Sequence, residues 1–306
     1  MNGCSSSHSD LSENLPFISI ITPTFNRKDK LRNCLESIRK LEYPRSLLEI
    51  IVVDNGSLDD TIRMVRNEFR EVKLVMEPRR GVSFARNTGF RHSKGRIISF
   101  LDDDCQVHRN WIRKIVRNFT CKDLIGVGGP VVLSLDSMKI SPRFLAFFSP
   151  FSHFDLGQRR KYIVHLSGAN MAFKREAFEF TSFDPKLGPP NAYLEDFDFC
   201  ETLHRLGFKL LYDPEAIVYH FPDTPKLSFS YILIHRGPKE GFSYYYYDRK
   251  RRPWIKVLRL FIRDFLMKTI RLLKHRNGHN FFNMAVSFYC ILSCLREFNL
   301  RIEPHN

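Results

Sequence analysis

Paired cysteines are missing from this 306-residue chain: its seven stand at 4, 34, 105, 121, 200, 290 and 294, an odd and scattered set. That excludes a secreted disulfide scaffold and points to reduced thiols in a cytoplasmic setting. Cys290 and Cys294 are one helical turn apart, but without histidines at ligand spacing they read as small apolar residues, not half of a zinc site. Also absent is a secretory signal. Residues 1–13 are polar and Ser-rich, with neither a basic stretch nor an apolar core, and residues 1–15 are expected to form a flexible tail. Long hydrophobic runs are scarce. Asn277 to Leu295 carries no formal charge, yet Asn280, Asn283, Ser287 and Ser293 dilute it, whereas a spanning helix takes about 20 mainly apolar residues. No repeat of solenoid length is present. Acids are rare in one region: between Lys226 and Arg276 fourteen Lys or Arg face three acids, a net +11 of the chain's +15.

What is there, at 43% apolar residues, is enough for a globular core. From Phe17 short apolar runs alternate with amphipathic segments. Phe17–Thr22, Leu48–Val53, Val72–Val75 and Ile97–Leu101 read as strands. Leu31, Leu35, Ile38 and Leu41 mark one helix face, and Ile62, Val65 and Phe69 a second; Ser83–Arg91 forms a third helix. Trp111, Ile112, Ile115, Val116 and Phe119 predict a helix after the fourth strand. Buried Ile/Val-rich strands alternating with helices predict an α/β fold with a mostly parallel sheet covered on both faces. Regularity fails over Ser134–Tyr162, rich in Phe, Pro and Ser, an expected irregular excursion. It returns at Gly168–Phe173, in a helix over Leu194–Leu206 that stops at Gly207, and at Phe208–Tyr212 and Ala216–His220.

Three consecutive aspartates, Asp102, Asp103 and Asp104, follow the apolar run ending at Leu101. Carboxylates this close repel unless cations or strong donors compensate, and the loop beyond a parallel strand is where open α/β sheets bind ligands. A divalent cation carrying a diphosphate would resolve the repulsion; an acidic cap on the following helix would also account for the residues. Two more strand ends offer polar loops: Thr22-Pro23-Thr24-Phe25-Asn26-Arg27 and Asp54-Asn55-Gly56-Ser57. Asp54 suits a base or ribose, and Arg27 and Arg86 suit phosphate, although Asp-Asn-Gly-Ser is equally a turn sequence. Glu195, Asp196 and Asp198 open the helix that ends at Gly207. One could deprotonate an attacking hydroxyl, or all three could simply complement the helix dipole.

In order, Ile20-Ile21-Thr22-Pro23-Thr24-Phe25-Asn26-Arg27, Val52-Val53-Asp54-Asn55-Gly56-Ser57, Ala85-Arg86-Asn87-Thr88-Gly89, Phe100-Leu101-Asp102-Asp103-Asp104, Gly168-Ala169-Asn170-Met171-Ala172-Phe173 and Leu194-Glu195-Asp196 resemble the family 2 glycosyltransferases of the GT-A fold, over residues 16–222. The resemblance implies a nucleotide held by Pro23, Thr24, Arg27, Asp54 and Arg86, with Asp102 or Asp103 at the ribose. It implies a Mg²⁺ or Mn²⁺ ion on Asp104 and Asp102, with His220 a third ligand or else a structural histidine. Asp196 would be the catalytic base of an inverting transfer from a nucleoside-diphosphate sugar. Glu195 and the loop Gly168, Ala169 and Asn170 would shape the sugar and acceptor pockets. His108, His153, His165, His204 and His235 have no usable spacing and read as structural or surface residues.

Residues 223–306 read as a basic helical region. Over Trp254–Leu273 the cations Lys256, Arg259, Arg263, Arg271 and Lys274 lie opposite Leu258, Phe261, Ile262, Phe265, Leu272 and Leu273. With Tyr244–Tyr247 and Arg249–Arg252 ahead of it, this helix is expected to lie on an anionic membrane surface; packing on the catalytic domain with a solvated basic face is the other reading. No nucleic acid partner is expected, since the basic stretch has no recognisable binding motif. A sugar nucleotidyltransferase would show a Gly-rich basic loop after the first strand, and Thr22–Arg27 is not one. The expectation is a cytoplasmic transferase peripheral to the inner membrane face, building a polysaccharide or glycolipid on a glycan or lipid-linked acceptor.

Overall fold

The first strand sets the architecture. In β1 (Ile18–Thr24), Ile18 and Ile20 face one side of the sheet and Ile21 the other, and all three are fully buried. β2 (Leu48–Asp54) repeats the pattern, with Val52 on the first side and Ile51 and Val53 on the second. Burying a side chain of this size contributes on the order of 1.5–3 kcal/mol, so a strand apolar on both faces is stable only between two layers. The helices supply them. α1 (Lys28–Arg39) and α2 (Thr61–Glu68) bring Leu31, Leu35 and Val65 to the first side, and α3 (Val82–His92) brings Ala85 to the second.

The structure is a computed structural model that describes residues 15–134, 154–187, 194–222, 246–247, 250, 253–274, 284 and 286–292. The core of the excursion expected over Ser134–Tyr162, residues 135–153, lies outside the described residues, as do Tyr244, Tyr245, Arg249, Arg251, Arg252 and most of 277–295. Two compact units are distinguished: Met1–Pro185 with Asp196–Asp223, and Lys186–Glu195 with Thr224–Asn306.

In the first unit, β3 (Lys73–Met76) pairs with β2, and β4 (Ile97–Leu101) with β1, both in parallel. Beyond the aspartates come β5 (Cys105–Val107), α4 (Trp111–Val116), β6 (Leu124–Gly128) and β7 (Val131–Leu133). Next are β8 (Lys161–Ile163), β9 (Asn170–Lys174), α5 (Ala177–Phe180), α6 (Glu195–Arg205), β10 (Lys209–Tyr212) and β11 (Val218–His220). The large sheet runs β3-β2-β1-β4-β9-β6-β10-β8. β9 lies antiparallel between β4 and β6, and β8 antiparallel at the edge, so the sheet is parallel in four of seven pairings. The expected α/β fold is therefore present with this antiparallel insertion. A second sheet, β5-β11-β7, was not anticipated. Its strands are three residues each, too short to display a period, and β5 occupies the start of what reads as a helix approach.

Asn170 joins the two sheets. Its side chain is fully buried; Nδ2 donates to the carbonyls of Pro130 (3.0 Å) and Ala216 (2.7 Å), and Oδ1 accepts from Trp111 Nε1 (3.0 Å). Gly128 next to it is obligatory, because a Cβ there would lie 2.4 Å from the Asn170 carbonyl oxygen. Asn170→Ala would orphan the indole donor and the Ala216 carbonyl, each a loss of roughly 1–3 kcal/mol when buried, while the Pro130 carbonyl keeps its bond from the Val218 N–H. Urea unfolding of the full chain should show it less stable by about 2–5 kcal/mol, and a change under about 0.5 kcal/mol would refute the bridging role.

Candidate functional site

β1, β2 and β4 all end at the same edge of the sheet, and parallel pairing puts their polar loops side by side. Thr24 is opposite Asp54 in register, and its Oγ1 donates to Asp103 Oδ2 across 2.7 Å. Asn26 adopts a left-handed conformation (φ 51°), a region asparagine tolerates. From there its N–H donates to Ser57 Oγ (2.9 Å) and its Oδ1 accepts from the Leu58 N–H (2.6 Å), clasping the two loops together. Gly56 at φ 84° turns the second loop so that the Gly56 and Ser57 N–H groups, both 3.0 Å away, donate to Asp54 Oδ2. The other oxygen, Asp54 Oδ1, is buried and has no hydrogen-bond partner among the described residues. Beside it the Arg80 guanidinium lies 3.3 Å from the centroid of the Phe25 ring and reaches the Asn55 and Gly56 carbonyls.

The aspartates sit in a graded environment. Asp102 is about one-third exposed, whereas Asp103 and Asp104 are buried. Arg27 Nη1 bridges the buried pair, 3.0 Å from Asp103 Oδ1 and 2.8 Å from Asp104 Oδ2. Burial pushes the Asp103 carboxyl up to about 6, with Arg27 opposing and Asp104 adding to the shift. Burial acts the same way on Asp104, but the hydrogen bond and charge of His220, then Arg27, outweigh it and hold that carboxyl at about 2. His220 Nε2 is 3.2 Å from Asp104 Oδ1. It arrives on β11, whose pairing with β5 sets His220 opposite Cys105. Asp104, Cys105 and His220 each place one ligand atom within 4.8 Å of the others. The Cys105 thiol is fully buried and pushed well above its usual range by that burial, so it stays protonated and is a poor partner for a hard ion.

Arg86, expected to meet phosphate, is only 2% exposed. Its Nη2 donates to Asp102 Oδ1 (3.2 Å) and to the Gly168 carbonyl (3.3 Å). On the other side of the same residue, the Gly168 N–H donates to Asp196 Oδ2 at 2.7 Å. One guanidinium and one residue thus connect the aspartates to Asp196. A Cβ at Gly168 would approach Arg86 Nη2 to 2.7 Å and Asp196 Oδ2 to 3.1 Å, so only glycine fits without displacement. Ala169 is buried next to it, while Asn170, expected in the same pocket, points into the core as described above. Glu195 is buried at the start of α6 and follows Leu194, whose φ of 75° is a strained conformation for leucine. Pro23 lies in β1, pairing with Val53.

Two contributors escaped the sequence reading. His165, set aside for want of spacing, has its ring 5.0 Å from that of Phe197; burial lowers its pKa while the charge of Asp196 opposes. Asn55, read as a turn residue, donates to the Glu77 and Arg79 carbonyls and accepts from the Gly81 N–H, fixing the loop that carries Arg80. Neither has a linear signal, because each depends on a partner more than twenty residues away.

Residues 19–181, just over half of the chain, match the family described as glycosyl transferase family 2. The chain is 35% identical over 125 residues to glycosyltransferase AglE of Haloferax volcanii, a match covering 40% of this chain and 41% of that protein. It is 21% identical over 280 residues, 84% of this chain and 81% of the other, to a Methanococcus voltae protein named dolichyl N-acetyl-alpha-D-glucosaminyl phosphate 3-beta-D-2,3-diacetamido-2,3-dideoxy-beta-D-glucuronosyltransferase. Among solved structures it resembles the mannosyltransferase PcManGT of Pyrobaculum calidifontis, in complex with GDP-Man and Mn²⁺, with a TM-score of 0.60 and 18% identity over 95% of this chain and 89% of that one. At that identity the likeness speaks to the fold alone.

The Arg27 clamp has a pH signature. An acid whose folded pKa exceeds its unfolded value weakens the fold as pH rises between the two, so Asp103 lowers stability between about pH 4 and 6. Asp104 does the reverse, contributing stability above about pH 4 that is lost as pH falls toward 2. Arg27→Gln removes the countercharge and raises both values. In chelator-containing buffer its loss of melting temperature should grow from pH 5 to pH 8, and a loss as large at pH 5 would contradict the clamp.

Proposed function

Because the chain belongs to glycosyl transferase family 2, we propose that it moves a sugar from a nucleoside-diphosphate sugar to a hydroxyl of a glycan or lipid-linked acceptor, inverting the anomeric carbon, in polysaccharide or glycolipid biosynthesis. One observation carries the reading: carboxylates from separate stretches of chain gather at one sheet edge, with Asp102 tied to Asp196 through Arg86 and Gly168. The relatives support it, since the Methanococcus protein is named for a dolichyl-linked acceptor and PcManGT was solved with GDP-Man and Mn²⁺.

At the donor end, Asp54 Oδ1 is a buried acceptor lacking a donor, and the N–H of a nucleobase or a ribose hydroxyl supplies one. Pro23 and Thr24 form the adjoining wall. Arg27, more than one-third exposed, is placed to meet diphosphate while it holds Asp103 and Asp104. Arg86 orients Asp102 toward the ribose and fixes the Gly168 loop.

Asp104 and His220, whose Nε2 lies 3.2 Å from Asp104 Oδ1, would hold the cation together with an oxygen of the nearby Asp102, a donor set that suits Mg²⁺ or, with the nitrogen ligand, Mn²⁺. Such a cation, when bound, offsets the charge that develops on the diphosphate leaving group. Asp196 is the base. Each of its oxygens accepts one backbone N–H, from Gly168 and Phe197, and retains a lone pair for the acceptor hydroxyl's proton. Taking that proton lets the hydroxyl oxygen attack the anomeric carbon as the diphosphate leaves from the opposite side, which inverts configuration. Glu195, Gly168 and Ala169 border the sugar and acceptor.

A panel of nucleotide sugars with Mn²⁺ or Mg²⁺ tests this by melting temperature and by transfer. At least one donor should stabilise the protein by several degrees at saturating concentration. Asp196→Asn should retain that shift yet transfer roughly 100-fold or more slowly, and Asp104→Asn should lose the metal-promoted part of both. No shift with any donor, or wild-type turnover by Asp196→Asn, would overturn the assignment.

A further inference from the structure

The second unit contains α7 (Trp254–Lys274), a 21-residue helix. One of its faces is already used: Val257 and Phe261 are buried, Phe265 lies 6.0 Å from the ring of Phe288, and Asp264 accepts a hydrogen bond from Ser287 Oγ at 2.5 Å. Residues 286–292 are the helical partner in these contacts.

The opposite arc is exposed, and its composition is unusual for a solvated face. Ile255, Ile262, Leu266 and Met267 are each 41 to 55% exposed. At 100° per residue, Ile262, Ile255 and Leu266 form a single apolar ridge, with Arg259, Arg263 and Lys256 following immediately round the helix. Those three cations are exposed as well. Ile262, which the sequence pattern assigned to the side opposite the cations, is thus beside them. Phe288 and Leu292, one turn apart on the neighbouring helix, are exposed by 45% and 42%. Sequence adds to this a net +11 over 226–276.

We propose that this arc is a docking surface for an anionic lipid bilayer: the ridge of Ile255, Ile262 and Leu266 enters the headgroup and acyl boundary while Lys256, Arg259 and Arg263 meet lipid phosphates. An apolar ridge flanked by long cations is what an interfacial helix needs, since the aliphatic stems of Lys and Arg lie along the apolar zone and their charges return to the headgroups. Charge complementarity calls for an anionic occupant, because an uncharged or basic partner leaves the three cations unanswered, and the apolar ridge beside them matches the acyl boundary that an anionic bilayer offers under its headgroups. Crossing the bilayer is a different matter: no helix among the described residues is long and apolar enough to do so. The inference is independent of the sugar-transfer reading.

Sedimentation of the full chain with vesicles separates the alternatives. Binding is expected to phosphatidylcholine vesicles containing one-quarter phosphatidylglycerol, weakening as salt rises, and not to phosphatidylcholine alone. The triple change Lys256→Gln, Arg259→Gln, Arg263→Gln should lower partitioning roughly 100-fold. Ile262→Asp with Leu266→Asp should lower it about tenfold or more. All five positions are exposed, and matched circular dichroism and melting curves verify that the variants fold. Equal binding to neutral vesicles, unchanged binding of either variant, or a dimer in light scattering that Ile262→Asp disperses without any vesicle binding would overturn the proposal.

Discussion

The placement of three adjacent carboxylates at the end of a buried strand is the constraint to which the rest of the first unit answers. Asp103 and Asp104 lie where water cannot screen them, and their mutual repulsion must be met by fixed donors. Arg27 meets it from the end of β1 and His220 from β11, while Thr24 satisfies a second oxygen of Asp103. These partners come from distant parts of the chain, so the three-residue strands β5, β7 and β11 acquire a purpose: they deliver a histidine that the main sheet could not.

From Asp102 the same logic extends outward. Arg86 is buried between Asp102 and the Gly168 carbonyl, and the Gly168 amide holds Asp196. Such a relay makes the two ends of the site mechanically dependent, because displacement of the guanidinium moves both. It also explains why the loop preceding β9 has no room for a side chain at 168. Asn170, two residues on, performs the anchoring, since its satisfied amide fixes the start of β9 against Trp111, Pro130 and Ala216. Residues that look alike in a motif therefore divide into one that faces the site and one that holds the frame.

Charge is partitioned along the chain. The site gathers acids and tempers them with the partly exposed Arg27 and the buried Arg86, while the second unit concentrates cations on an exposed arc with almost no acids nearby. The two charge patterns are of opposite sign, and they lie in different units.

Amino-acid order alone determined the alternation of strands and helices, the two-faced burial of the strands, the polar loops at their ends and the extent of α7, because hydrophobic period and β-branched runs are local signals. It also carried the family motifs, whose spacing survives in one dimension. Only the tertiary structure decided that β9 inserts antiparallel, that Arg86 and Asn170 turn inward, that His165 and Asn55 flank the site, and that the face of α7 carrying Ile262 is left exposed. Each of these depends on a partner many residues away or on which face of an element finds neighbours, and burial of that kind is fixed only when the layers close on one another.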